Sequence, residues 1–208
     1  MNNVKEVEIR KLTTSNFVKP YEMHYTQNGV RKRWDLLRIH HSVAVLIYNI
    51  SRKVVVLVKQ FRPAVYLAGI PEDDFKTEID TKKYSPEAGI TLELCAGIVD
   101  KLKSLEEIAK EEVFEECGYN VPVSSLQRII QYRSGIGITG DQQTLFYCEV
   151  TDEMQVNPGG GNIEEGELID VVELSIPEVK KLLSEPSVLS PGGFLFALSW
   201  FLQHKGPF

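Results

Sequence analysis

The 208-residue sequence predicts an α+β domain with a mixed β-sheet. Three observations lead there. Two β-branched runs, SVAVLIYN and KVVVLVKQF, are separated only by Ile50-Ser51-Arg52 and read as neighbouring strands. A single well-punctuated helix pattern follows in the middle of the chain, and two more come only at its end. Strands with few helices between them argue against a doubly wound parallel sheet. An apolar fraction of 43% with 25% charged residues is that of an ordinary globular chain, long enough for one substantial core. The most apolar windows, VVVLVKQF and FLFALSWFL, are too short to span a bilayer and read as core elements.

The elements follow in order. Asn28-Gly29 is a two-residue hairpin signal between YEMHYTQ and VRKRWDLL, so residues 1–40 form a small N-terminal β region ahead of the main domain at 41–208. After the paired strands, residues 69–89 are rich in Asp, Lys, Pro and Thr without an apolar period, and read as a long mobile loop. ITLELCAG reads as one strand. Ser104 is an N-cap, Glu107 completes a capping box and Gly118 is a stop, which defines a helix from Ser104 to about Cys117. Strands follow at LQRIIQYRS, QTLFYCEV and ELIDVVELS, with the flexible NPGGGNIEEGE loop before the last. Helices from Pro177 to Ser184 and from about Gly193 to Gln203 finish the chain.

A net charge of −6 argues against a nonspecific nucleic-acid surface, and the chain lacks an apolar signal region at its start. Three widely spaced cysteines resemble neither a disulfide framework nor a zinc site, which makes a reducing cytosol the simplest home. An anionic substrate would therefore need local Arg or Lys, or a bound metal, to attract it.

Five glutamates crowd the helix between Glu107 and Glu116. Leu105, Ile108, Ala109 and Val113 make the apolar stripe, while Glu112, Glu115 and Glu116 converge on another patch at i, i+3, i+4 spacing. A solvated acidic face would account for such a cluster. Against it, these acids occupy the C-terminal half, where the helix dipole disfavours them. A divalent cation would remove the repulsion, and carboxylate oxygens with water are the coordination Mg²⁺ prefers.

Gly97 to Tyr119 resembles the Nudix box, a Gly, five residues, Glu, seven residues, then Arg-Glu-apolar-x-Glu-Glu-x-Gly-apolar. Gly97, Glu112, Val113, Glu115, Glu116, Gly118 and Tyr119 fall in register. Two positions depart: Lys103 stands at the first box glutamate and Glu111 at the box arginine. A contact between them could survive with reversed polarity, or Lys110 could supply the missing cation. VLVKQFRPAVY, YRSGIGITGDQQTLFYCEV and EEGELIDVV are similar to the Nudix branch that cleaves nucleoside diphosphate sugars and ADP-ribose.

The resemblance implies an α/β/α sandwich and Mg²⁺-dependent hydrolysis, with Mn²⁺ as a substitute. The implied reaction converts a UDP-sugar such as UDP-glucose to UMP and a sugar 1-phosphate. ADP-ribose hydrolysis to AMP and ribose 5-phosphate, or a non-catalytic nucleotide-binding domain, are the alternatives. It implies Glu112 and Glu116 as metal ligands, with Glu115 assisting and the Ala96 carbonyl contributing beside Gly97. The general base would come from the late loop, where Glu165 and Glu167 are the candidates in no fixed order; a solvated acidic loop is the plain alternative. Arg62 suits a diphosphate clamp, since guanidinium binds phosphate oxygens in a fork, although an arginine at a strand end is often only surface. Trp34 could stack on a base across a homodimer formed by the N-terminal strands, or be a core residue. Arg133 belongs to a substrate-side loop in related enzymes, or to a plain turn. His40 and His41 lack a partner at metal spacing and read as structural.

Overall fold

The computed structural model describes residues 4–75 and 78–206, with the side chain of Glu165 left outside that description. Strands β1 (Lys19–Gln27) and β2 (Val30–Arg38) form a separate two-stranded sheet in continuous antiparallel register. Asn28 and Gly29 turn the chain with φ of 51° and 77°, the left-handed pair that a tight hairpin requires. A seven-stranded mixed sheet carries the rest.

Its centre is β3 (Ser42–Asn49), which runs parallel to β8 (Gln142–Val150) along its whole length. On the other side β3 first meets β6 (Cys95–Ile98), and only its last residues, from Ile47, pair with β4 (Val54–Phe61). β4 then diverges to pair with β5 (Ile90–Glu93) and, along its other edge, with β9 (Ile169–Ser175). β7 (Gln127–Arg133) closes the edge against β8. The segment expected as one strand is thus two, broken at Leu94. β5 follows β4 and β6 follows β3, so the break fills the fork where these strands part. That fork is the opening on which the acidic helix rests.

Alternate residues of the central strands serve opposite cores. Val43, Val45 and Ile47 pack with Ile108, Ala109, Val113 and Cys117 of α2 (Leu105–Cys117). Ala44, Leu46 and Tyr48 pack with Ile176 and Val179 of α3 (Ile176–Ser184) and with Phe194, Leu198 and Phe201 of α4 (Gly192–His204). Burial on both faces explains why these strands read as unbroken apolar runs and not as alternation. The result is an α/β/α sandwich, as the sequence indicated. No helix among the described residues is long and apolar enough to cross a membrane.

The ends of α2 are fixed by the residues that predicted them. Ser104 Oγ accepts the Glu107 N–H at 3.2 Å and Glu107 Oε2 accepts the Ser104 N–H at 2.9 Å, a reciprocal capping box. Gly118 takes the left-handed C-terminal position at φ 78°, and its N–H donates to the Phe114 carbonyl. A short helix, α1 (Pro63–Ala68), was not foreseen; Pro63 at its first position was its only signal. Within 69–89, Ile70 and Ile79 join Tyr66 in a small apolar cluster with Val7 and Ile9 packed against it. This segment thereby packs against the start of the chain.

Candidate active site

The fork between β3 and β4 opens into a cleft of about 780 Å³. Strand β6 supplies Ala96 and Gly97, α2 supplies Glu112, Glu115 and Glu116, and the ends of β4 and β5 supply Arg62 and Glu93. Glu167 enters from the loop before β9. The structure places seven of the ten candidate residues in the lining of this one cleft: Arg62, Ala96, Gly97, Glu112, Glu115, Glu116 and Glu167.

The acids differ in setting. Glu116 is only 2% exposed, and its Oε2 accepts the Ala96 N–H at 2.9 Å. Burial outweighs that hydrogen bond and pushes its carboxyl up to about 8. Glu112 is raised to about 7, first by burial and then by the charges of Glu115 and Glu167. The cationic side chains in the lining are Arg62 and Lys101. Arg62 is engaged by Glu93, and Lys101 pairs with Glu111 at 3.7 Å. The cleft therefore carries carboxylates without equivalent cations, and every acidic donor is a hard oxygen that suits Mg²⁺. Among the described residues, no three acidic, His or Cys side chains are already gathered around one point.

The late loop is tied to this helix. The Gly160 N–H donates to the Glu116 carbonyl at 2.9 Å and the Gly161 N–H to the Glu115 carbonyl at 3.1 Å. These bonds satisfy carbonyls at the end of α2 that the helix leaves unpaired. A side chain at Gly159 would run into the Glu116 backbone. Gly159 and Gly161 are thus close-packed and Gly160 bonds to the helix end, so the segment is a joint where the sequence suggested a flexible loop. Past the joint, the Asn162 N–H donates to Glu167 Oε2 at 3.1 Å, which fixes the carboxylate that faces the cleft.

No family model matches the chain. Over its full length it is 43% identical to the uridine diphosphate glucose pyrophosphatase NUDT14 of Bos taurus, spanning 98% of that protein. The NUDT14 of Mus musculus is 41% identical with the same coverage. The GDP-mannose pyrophosphatase of Cronobacter sakazakii is 30% identical over 85% of this chain and 83% of its own length. The chain belongs to the Nudix hydrolase family.

In this Nudix chain the two box departures meet. The Lys103 ammonium donates to Glu111 Oε1, with Lys101 on the other carboxylate oxygen. The hydrogen bond from Lys103 holds the Glu111 carboxyl below its ordinary range. The contact survives with its polarity reversed, and Lys103 rather than Lys110 is the cation. Both partners are partly solvent-exposed, so the pair orients more than it stabilises. The exchange Lys103→Glu with Glu111→Arg is expected to retain more activity than either single change; steady-state rates of the three variants check this, and additive losses would contradict it.

The remaining sequence candidates lie elsewhere. Trp34 is 52% exposed on β2, outside this chain's cleft and not in the core, with its Nε1–H donating to the Gly137 carbonyl at 2.8 Å. Arg133 donates to the Gly140 carbonyl at 2.8 Å and lines a neighbouring cleft that meets the acidic one at Gln143. The Glu165 side chain lies outside the described residues. His41 Nδ1 accepts the Gln142 N–H at 3.0 Å, a structural role. Sequence reasoning missed Glu93 and Lys101. An acid on the buried face of an apolar strand, in step with Thr91 and Cys95, was the available signal for Glu93.

Proposed function

We propose that this chain hydrolyses the diphosphate of a UDP-sugar, converting UDP-glucose to UMP and glucose 1-phosphate. The observation that carries the reading is the acidic cleft in which Glu112, Glu115, Glu116 and Glu167 stand with Arg62. Two relatives matched from end to end, both named uridine diphosphate glucose pyrophosphatase, support the choice of uridine.

Glu112, Glu116 and the Ala96 carbonyl would hold Mg²⁺, or Mn²⁺ in its place, with Glu115 assisting and with water and substrate oxygens completing the coordination. When bound, the cation supplies charge neutralisation at the diphosphate and a more acidic water. The chain's own groups do the rest. Arg62 binds diphosphate oxygens, Glu167 takes the proton of the attacking water, and Gly97 leaves room for the Glu112 carboxylate. Glu165 is the second candidate for the proton acceptor.

The working unit is proposed to be a cytoplasmic homodimer. The β1–β2 hairpin has little core of its own and exposes Tyr21, Met23, Val30 and Trp34, which is apolar surface suited to a second copy. In that arrangement Trp34 stacks on the base bound by the partner. Three free, buried cysteines suit a reducing compartment.

The 30% identity to a GDP-mannose pyrophosphatase makes other sugar nucleotides the competing substrates. A panel of UDP-glucose, GDP-mannose, ADP-glucose and ADP-ribose with Mg²⁺ decides between them. The expected result is a kcat/KM for UDP-glucose at least about 10-fold above the others, the net worth of about one ordinary hydrogen bond to the base. Preference for ADP-ribose would move the assignment to an ADP-ribose pyrophosphatase, and turnover of none would leave a non-catalytic nucleotide-binding domain.

A further inference from the structure

Glu93 is the buried acid that the cleft chemistry above does not use. It is 7% exposed at the end of β5 and lines the same cleft as Glu116 and Glu167. Arg62 meets it with a two-pronged contact, Nε–H to Oε1 at 2.8 Å and an Nη2 proton to Oε2 at 2.7 Å. The Thr91 hydroxyl donates to Glu93 Oε1 at 2.6 Å and also reaches the Gln60 carbonyl at 3.3 Å. The carboxylate is therefore clamped from both sides before any ligand arrives.

A guanidinium at this place has a strong alternative. Glu116 and Glu167 line the same cleft as Arg62, and their charges add to those that favour its cationic form. An arginine with free rotation would fall onto them, since a fork-shaped cation and a carboxylate form one of the stronger charge-assisted pairs. That collapse would remove the diphosphate clamp and fill the cation site at the same time.

We infer that Glu93 is a positioning residue that holds the Arg62 guanidinium on the cleft wall and keeps it from pairing with Glu116 and Glu167. This rests on the reading of the cleft as a cation-dependent diphosphatase. Two consequences follow from the geometry. The remaining Arg62 N–H groups are presented to the diphosphate in one fixed orientation, and the metal-binding acids remain available to a cation. Thr91 is the outer brace of the same unit.

The test is a double-mutant cycle on the full chain with Glu93→Gln, Arg62→Ala and both together, read by Mn²⁺ binding and by steady-state kinetics. Mn²⁺ affinity is expected to fall by about 5- to 10-fold in Glu93→Gln and to return to within about 2-fold of wild type when Arg62→Ala is added. For UDP-glucose, the double variant should be no worse in kcat/KM than Arg62→Ala alone, with the Glu93→Gln loss mainly in KM. Thr91→Val should give the same pattern with smaller amplitude, and it serves as the readout if Glu93→Gln does not fold. Unchanged Mn²⁺ affinity in both Glu93→Gln and Thr91→Val, or strictly additive losses, would overturn the inference. If the wild type binds Mn²⁺ but turns over no sugar nucleotide, the functional reading fails and the metal-binding cycle still decides the role of Glu93.

Discussion

Replacing Glu116 with glutamine is expected to lower kcat/KM by about 100-fold or more while making the metal-free protein more stable at alkaline pH. The two effects share one cause. Glu116 lies buried under α2 against the Ala96 N–H, and a glutamine oxygen can keep that hydrogen bond. What glutamine cannot do is carry the charge that a cation needs. In the metal-free protein the same charge is a liability. The carboxyl is raised from an ordinary 4.5 to about 8, first by burial, so the folded state favours the protonated form. Its stabilising contribution is fully present below pH 4.5 and is lost as pH rises through about 8. The wild type should therefore lose on the order of 3 kcal/mol between pH 6 and 9 without metal, and recover it with Mg²⁺. The glutamine variant should keep only the smaller slope that Glu112, raised to about 7, contributes, and should recover less with Mg²⁺. Thermal melts across that range, with and without Mg²⁺, check the stability half, and steady-state kinetics check the other.

Gly97→Ala is the second large effect, and it separates activity from folding. A methyl group at Gly97 would overlap the Glu112 carboxylate and its neighbouring carbon. The atoms that must yield belong to the end of a flexible side chain, and Gly97 itself has no left-handed backbone that alanine would strain. The fold should tolerate the change, with a melting shift of only a few degrees, on the order of 1 kcal/mol. Activity should fall by about 10- to 100-fold, because a cleft carboxylate displaced by about 1 Å misplaces whatever it binds. Full activity would mean that Glu112 does not need its position, and wholesale unfolding would mean that the strand cannot accept a side chain there.

Much of this architecture was legible in the sequence because its signals were local. Ser104, Glu107 and Gly118 announce both ends of α2, and Asn28-Gly29 announces the hairpin. The break between β5 and β6 was not legible, since ITLELCAG carries no turn residue between Ile90 and Ala96 and the break depends on which of two diverging strands each half follows. Nor could the sequence say that alternate residues of β3 feed two separate cores. When both faces of a strand are buried, the periodicity that would separate them disappears.

The site divides in the same way. Glu112, Glu115 and Glu116 were found because helical spacing alone brings them together. Glu167 was found as one of several acids on a loop, and only its position in the cleft sets it apart from Glu164. Glu93 was missed because its meaning lies in a partner 31 residues away, Arg62, which no local pattern connects to it. The reversed pair of Lys103 and Glu111 was visible as an exchange of charges, and the structure added that the two side chains meet.

Hydrolysis of a sugar nucleotide diphosphate in this acidic cleft, with the help of a divalent cation, has a direct readout at phosphorus. Phosphorus NMR of UDP-glucose incubated with the protein tests it most directly, first with Mg²⁺ and then after chelation. The expected result is replacement of the two diphosphate resonances by those of UMP and glucose 1-phosphate, abolished by the chelator and restored by fresh Mg²⁺. An unchanged diphosphate spectrum with Mg²⁺ present, or turnover that continues undiminished after chelation, would contradict it.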